Sequence, residues 1–134
     1  MTAPLTPGAY LALRRRSAGV EIEQLAAAIA TEPRLPERDR AEFIRALEAD
    51  LVSPTITELA ALNRHFRSDI TVLAALVDPV PGIPVPRVCR TCGCSDRDPC
   101  LAKGGWGCSW AGPDLCNVCL GAAPFDAPER EAAA

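Results

Sequence analysis

The chain has 134 residues and a formal net charge of −3 at pH 7. It can hold one ordinary domain or two small ones, and its acidic balance excludes binding to nucleic acid through bulk positive charge. Hydrophobic residues make up 49% of the chain and aromatic residues 4%, which excludes a wholly disordered chain and favours helices over a β-sandwich or barrel. No apolar run approaches the roughly 18 residues of a membrane span, and the N-terminus lacks a secretory signal pattern. We therefore expect a cytoplasmic protein without membrane contact.

Apolar periodicity predicts five helices within a helical domain at residues 7–78. Gly19 is expected to end the first helix, Pro33 the second and Pro79 the fifth, because proline cannot continue a helix and glycine favours its C-terminal turn. Thr55 and Glu58 have the spacing of a capping box at the start of the fourth. The expected helices cover residues 7–17, 21–30, 37–51, 53–66 and 69–77.

The segment from Tyr10 to Ala26 resembles the first two helices of the Cro and phage-repressor family, also called XRE-type helix-turn-helix proteins. That family has an L-x-x-x-R pattern, a turn glycine and an L-A pair in these helices. Residues 43–50 correspond to its recognition helix and the turn that follows, so the resemblance covers about residues 9–77. It implies a dimeric protein that binds double-stranded DNA, with the third helix docked in the major groove from Arg38 to Arg45.

The connection between the second and third helices departs from that family. Residues 31–36 at least lie between them, whereas the family's turn has about 3–4 residues. Residues 32–50 contain four arginines and six acidic residues, and this acidic excess weakens attraction to DNA phosphates. A protein–protein adaptor on the same scaffold therefore stays open as an alternative.

Seven arginines are the candidate DNA contacts. Those that end the first helix can hold phosphates where that helix crosses the DNA backbone, or can simply complement the helix dipole. Those near the third helix can contact DNA, or can pair with neighbouring acidic side chains. The candidates are Arg14, Arg15, Arg16, Arg34, Arg38, Arg40 and Arg45.

All seven cysteines lie between Cys89 and Cys119. The proline-rich residues 79–86 predict a semi-rigid linker, residues 87–120 a small cysteine-rich module, and residues 121–134 a disordered tail. An odd number of cysteines in a chain without a secretory signal argues against a disulfide framework. Metal–thiolate bonds are the remaining way to use so many close cysteines.

The outer cysteines form two C-x2-C pairs, Cys89 with Cys92 and Cys116 with Cys119. Two such pairs make a tetrahedral four-thiolate site, which zinc favours. The other three cysteines can belong to a second ion that shares a cysteine or takes a carboxylate, can hold an iron–sulfur cluster, or can stay as thiols. We expect one or two zinc ions, and give no metal role to the only histidine, His65. The remaining cysteines are Cys94, Cys100 and Cys108, and the carboxylates are Asp96, Asp98 and Asp114.

The cysteine pattern, from Cys89-x2-Cys92-Gly-Cys94 through Cys108-Ser-Trp110 to Cys116-x2-Cys119, resembles a module of small phage and prophage proteins. The resemblance implies a zinc-finger-like module and no reaction. No catalytic constellation is evident, so we expect no enzyme. We therefore expect a mainly α protein, with a five-helix domain and a metal-stabilised module, that regulates transcription by binding DNA in a phage or prophage setting. Redox or iron–sulfur sensing is the third alternative.

Overall fold

Five α-helices form where the apolar periodicity predicts them, in a computed structural model that describes residues 5–31, 33–100 and 107–119. A two-stranded antiparallel sheet and a short 3-10 helix follow them. The prediction of a mainly α protein is confirmed. The elements are α1 (Pro7–Ser17), α2 (Ile22–Ala28), α3 (Glu37–Glu48), α4 (Ile56–Asn63), α5 (Ile70–Val77), β1 (Trp110–Gly112), β2 (Leu115–Cys116) and the 3-10 helix Asn117–Cys119.

Local hydrogen bonds determine where these helices begin. The Thr6 hydroxyl accepts a hydrogen bond from the backbone N–H of Ala9 at the start of α1. The predicted capping box of α4 is present: the Glu58 N–H donates to the Thr55 hydroxyl, and the Thr55 N–H donates to the Glu58 carboxylate. These bonds satisfy backbone donors that have no partner inside the helix.

The third helix is shorter than expected because the chain turns immediately after it. Asp50 has a positive φ of 61°, in the left-handed conformation that commonly ends a helix and is usually adopted by glycine. The Leu51 N–H then donates back to the carbonyl of Ala46. The helix therefore ends at Glu48 and does not continue to Leu51.

The chain divides into two compact units, Met1–Ser68 and Asp69–Ala134. In the first unit, α3 packs against α1 and α2. The Gly8 N–H donates to the Asp50 carboxylate at 2.8 Å, and the backbone of Gly8 lies close to α3, because a Cβ there would be 2.4 Å from the carbonyl oxygen of Leu47. The core of the first unit is made of apolar side chains that include Tyr10, Leu11, Leu13, Leu25, Ile29, Ile44, Leu47, Leu59 and Leu62.

The second unit contains α5 together with the cysteines. The sequence pattern assigns α5 to the helical domain and predicts a linker at residues 79–86, and these linker residues contain no helix or strand. The buried carboxylate of Asp69, which caps α5, accepts a hydrogen bond from the Ser95 hydroxyl at 2.6 Å, and this bond links the start of α5 to the cysteine module. The predicted tail at residues 121–134 and residues 101–106 of the module lie outside the described residues.

Among the described residues, no helix combines the length and apolar character needed to span a membrane.

Candidate metal centre

A tight turn brings three of the cysteines together. The Gly93 N–H donates to the Cys89 carbonyl at 2.8 Å, and the Cys89 N–H donates to the Cys94 carbonyl at 2.9 Å. Gly93 has a φ of +80°, which a residue with a Cβ seldom adopts. The turn therefore places the thiols of Cys89, Cys92 and Cys94 in one buried cluster.

The β1–β2 hairpin brings a fourth cysteine to this turn. Cys116 lies in β2, opposite Trp110 of β1, and its N–H donates to the Cys89 sulfur at 3.5 Å. The Arg90 N–H donates to the Asp114 carbonyl at 2.8 Å, which joins the first turn to the hairpin loop. Residues 24 positions apart in the chain thus come into contact, with the sulfurs of Cys92 and Cys116 3.9 Å apart.

Six of the seven cysteines form two groups of four, and within each group all sulfurs lie within 4.8 Å of one another. Both groups contain Cys94 and Cys116. The Cys94–Cys108 and Cys100–Cys116 sulfur distances are each 3.6 Å. The first group is Cys89, Cys92, Cys94 and Cys116, and the second is Cys94, Cys100, Cys108 and Cys116.

These distances fit metal ligands and do not fit disulfides. A tetrahedral zinc site with Zn–S bonds of about 2.3 Å separates its sulfurs by about 3.8 Å, whereas a disulfide holds them about 2.05 Å apart. The measured distances of 3.6–3.9 Å lie on either side of the zinc value. All seven cysteines carry thiols, so the cluster can hold a metal ion.

Backbone N–H groups surround the first group of sulfurs. The Thr91 N–H donates to the Cys89 sulfur, and the Cys94 N–H donates to the Cys92 sulfur, each at 3.4 Å. Such bonds orient metal ligands and offset the negative charge of thiolates. The loops around the first group therefore already have the form that a thiolate site requires.

The crowded thiols perturb one another's ionisation. Hydrogen bonds from the Cys92 and Cys94 thiols hold the pKa of Cys89 far below its usual range. The same contact with Cys89 raises the pKa of Cys94, and burial raises the pKa of Cys100. Only part of the cluster can therefore ionise without a cation, and metal binding must release the remaining protons.

The first group contains Cys94 beside three members of the predicted quartet, Cys89, Cys92 and Cys116. Cys119 is buried in the same cluster but belongs to neither group. Spacing alone could not show this, since the cause is the backbone turn at Gly93. Among the described residues no histidine or carboxylate joins either group, and the Asp96 carboxylate instead accepts from the Trp110 indole N–H at 2.7 Å.

Trp110 covers the cluster on one side. Its half-buried ring packs against the cysteines, and the Arg87 guanidinium lies over the ring at 5.1 Å. This cation–π contact and the bond to Asp96 hold the indole in place. The other tryptophan, Trp106, lies outside the described residues.

The helical unit uses three of the seven candidate DNA-contacting arginines internally. Arg14 donates to the Arg67 carbonyl, and Arg15 pairs with Glu48. Arg40 donates to the carbonyl of Ala26, in the last turn of α2, and to that of Leu35, just before α3. All three side chains are buried. Their guanidinium groups donate hydrogen bonds inside the protein and are not exposed to a DNA phosphate. The periodicity of the sequence does not show this, because arginine is usually exposed.

The other four candidates lie nearer the surface. Arg34 and Arg38 are exposed, and Arg16 is half-buried. The side chain of Arg45 is 51% exposed and pairs with Glu23 of α2. The surface at α3 therefore combines cations with acidic neighbours.

Comparison of the chain with family models, with curated proteins and with solved structures found no match. The two groups of thiols and the surface charges are therefore the features of the molecule that bear on its function.

Proposed function

We propose that this chain is a small zinc-binding regulatory protein, in which a thiolate-bound metal organises the second unit and the helical unit contacts double-stranded DNA. The observation that carries the metal part is the pair of overlapping four-thiol groups. Closed sets of four thiolates are typical of structural zinc, while catalytic zinc keeps one position open.

The sulfur distances favour zinc over an iron–sulfur cluster. In such a cluster, cysteines on different irons are separated by the irons and sulfides between them, so four cysteine sulfurs do not all lie as close together as they do around one ion. Here every sulfur in a group lies within 4.8 Å of the others, and three of the sulfur pairs are 3.6–3.9 Å apart, close to the separation of about 3.8 Å around a single tetrahedral zinc ion. Redox or iron–sulfur sensing is accordingly the weaker proposal.

A structural role follows from how little apolar material surrounds the cysteines. In the described part of the chain, the apolar side chains packed against the cluster, apart from the cysteines, are those of Trp110 and Leu115, and a small module with so few apolar contacts is rarely stable alone. Structural zinc contributes an apparent binding free energy of roughly 10–16 kcal/mol in small domains, which is comparable to a whole domain's stability.

Cobalt substitution tests this part. Cobalt(II) added to the reduced, metal-free chain without oxygen should give the visible bands of tetrahedral cobalt and a sulfur-to-cobalt charge-transfer band, and zinc should bleach both. Absence of the charge-transfer band would overturn thiolate coordination. A chain that is isolated brown and contains iron with acid-labile sulfide would overturn zinc.

For the DNA part, the support is the exposed arginines at α3. Arg34 precedes the helix, and Arg38 and Arg45 lie seven residues apart and hence on one face; all three are exposed. We leave Arg14, Arg15 and Arg40 out of this surface because internal bonds engage them. Such cations bind phosphates and add salt dependence to the affinity.

Fluorescence anisotropy with duplex DNA at several salt concentrations tests the surface. Arg38→Ala should weaken binding and reduce the slope of log affinity against log salt by about 1. Arg64→Ala is the matched control, because Arg64 is exposed in the same unit but ends α4. Equal losses in both variants, with the fold retained, would overturn the assignment to α3.

A groove in the helical unit favours the adaptor as a second candidate. It has a volume of about 480 Å³ and lies between the α2–α3 connection, α3 and α4. Its lining is largely apolar, a type of surface that suits a protein ligand better than DNA. If the folded wild-type chain shows no salt-dependent affinity for duplex DNA, the adaptor replaces the DNA-binding proposal. The lining includes Ile29, Pro33, Leu35, Phe43, Thr57 and Ala61.

A further inference from the structure

The geometry points to a two-metal centre in which the thiolates of Cys94 and Cys116 each bridge both ions. This inference rests on the proposed binding of zinc and adds the number of ions and their connection. In it, Cys89 and Cys92 complete the first ion, and the second ion takes the remaining pair of the other group, Cys100 and Cys108.

The number of available ligands favours two ions that share thiolates over two separate sites. Two separate four-coordinate ions need eight ligands, whereas the chain has seven cysteines and a single histidine. Among the described residues, that histidine, His65, joins neither group of sulfurs. Sharing two thiolates lowers the requirement to six, and six is the number of cysteines in the two groups.

The positions of the two shared cysteines agree with a bridging role. Cys94 and Cys116 are both fully buried, and each contacts members of both groups. Cys116 lies 3.9 Å from Cys92 of the first group and 3.6 Å from Cys100 of the second, sulfur to sulfur. Both distances are close to the edge of about 3.8 Å expected for tetrahedral zinc.

Charge also favours the second ion. Two zinc ions with six thiolates carry the same formal charge as one zinc ion with four, so the second ion adds no net negative charge to the buried cluster. It also places a cation beside Cys100 and Cys108, which compensates the charge of two partly buried thiolates when they ionise.

The two-metal arrangement leaves one thiol outside. Cys119 is buried in the cluster, where its thiol contacts those of Cys92 and Cys116, but it belongs to neither group of four. Because the six other cysteines already supply four thiolates to each ion, Cys119 is expected to be dispensable for both, although the sequence spacing pairs it with Cys116. This makes Cys119→Ser and Cys116→Ser a matched pair of variants within one C-x2-C motif.

The test uses the full chain loaded with cadmium-113. Native mass spectrometry should give two ions per chain, and the cadmium spectrum should show two resonances with mutual scalar coupling, which passes through a shared sulfur. Cys119→Ser should keep both ions and the coupling. Cys116→Ser should lose the Cys116 bridge and at least one ion.

The wild-type spectrum keeps the inference falsifiable even if Cys116→Ser fails to fold. One cadmium per chain, two uncoupled resonances, or loss of an ion in Cys119→Ser would each overturn the bridged centre and leave thiolate binding of metal intact. Failure to retain any cadmium or zinc would instead overturn the proposed zinc-binding function itself.

Discussion

Arg15 of α1 and Glu48 at the end of α3 form a two-pronged ion pair inside the helical unit. The guanidinium donates from Nε to Oε2 at 2.6 Å and from Nη2 to Oε1 at 2.9 Å. A further N–H donates to the Val20 carbonyl. Both side chains are at most 13% exposed, so the pair connects α1, α3 and the turn before α2.

Glu48→Gln should destabilise the helical unit by about 3–5 kcal/mol, because it leaves a buried guanidinium without its counter-charge. The measurement is urea unfolding followed by circular dichroism. The double variant Arg15→Met/Glu48→Leu should recover most of the loss, since it buries no charge. A double variant as unstable as Glu48→Gln would mean that the pair itself, and not the uncompensated charge, determines stability.

Gly8→Ala should also destabilise the helical unit. The added methyl group would be 2.4 Å from the Leu47 carbonyl oxygen, and such overpacking costs about 1–3 kcal/mol. Gly107→Ala is the control, because its Cβ would meet Pro99 at an ordinary 3.7 Å. Unchanged urea midpoints in both variants would contradict the close approach of α1 and α3.

The buried carboxylate of Asp69 joins the start of α5 to the cysteine module. Ser95→Ala should cost about 1.5–3 kcal/mol, the value of a hydrogen bond to a charged group. Asp69→Ala should cost about 1 kcal/mol more, because it also removes the cap on the Thr71 N–H. Thermal unfolding of the zinc-loaded chain measures both.

Asp69→Asn is the control for that pair, because asparagine keeps an oxygen acceptor and is a good helix cap. It should be the least destabilised of the three variants. If Asp69→Asn lost as much stability as Asp69→Ala, charge rather than capping would explain the effect of residue 69.

Removing the metal should unfold the cysteine module and leave the helical unit folded. The reason is that few apolar side chains pack against the cysteines in the described part of the module, while the first unit has an apolar core of its own. Nuclear magnetic resonance of the labelled chain, recorded before and after chelation under reducing conditions, measures this. Amide signals from residues 87–119 should collapse to unfolded positions, and those from residues 7–63 should persist.

Two outcomes would contradict that expectation. A spectrum that chelation leaves unchanged, with the metal shown to be gone, would mean that the module does not depend on its ion. Loss of all dispersed signals would mean that the helical unit depends on it too.

Local patterns predicted the helices well. The bounds of α1 agree with the apolar periodicity, and Thr55 and Glu58 form the expected box. Prediction failed where a long-range contact determines the end of a helix. The α3 helix ends earlier than predicted because the chain turns at Asp50, whose carboxylate accepts a hydrogen bond from the Gly8 N–H, 42 residues away. Patterns within a short stretch of sequence cannot reveal a contact between residues so far apart.

For the metal centre, the type of ligand was likewise predictable from the sequence, whereas the grouping of the cysteines was not. The C-x2-C spacing indicates thiolate ligands, because two such cysteines in one turn reach the same ion. That Cys94 lies in one group with Cys89, Cys92 and Cys116 depends on the turn at Gly93 and on the hairpin that carries Cys116. The burial of Arg40 depends in the same way on the lengthened connection that it stabilises, which spacing cannot show.

Metal content per chain is the most direct test of the thiolate centre. Elemental analysis and an absorption spectrum, on protein purified without added metal, should give two zinc ions per chain and no visible colour. One zinc ion would contradict the bridging role of Cys94 and Cys116. Folded, reduced protein without any metal would contradict the metal centre altogether.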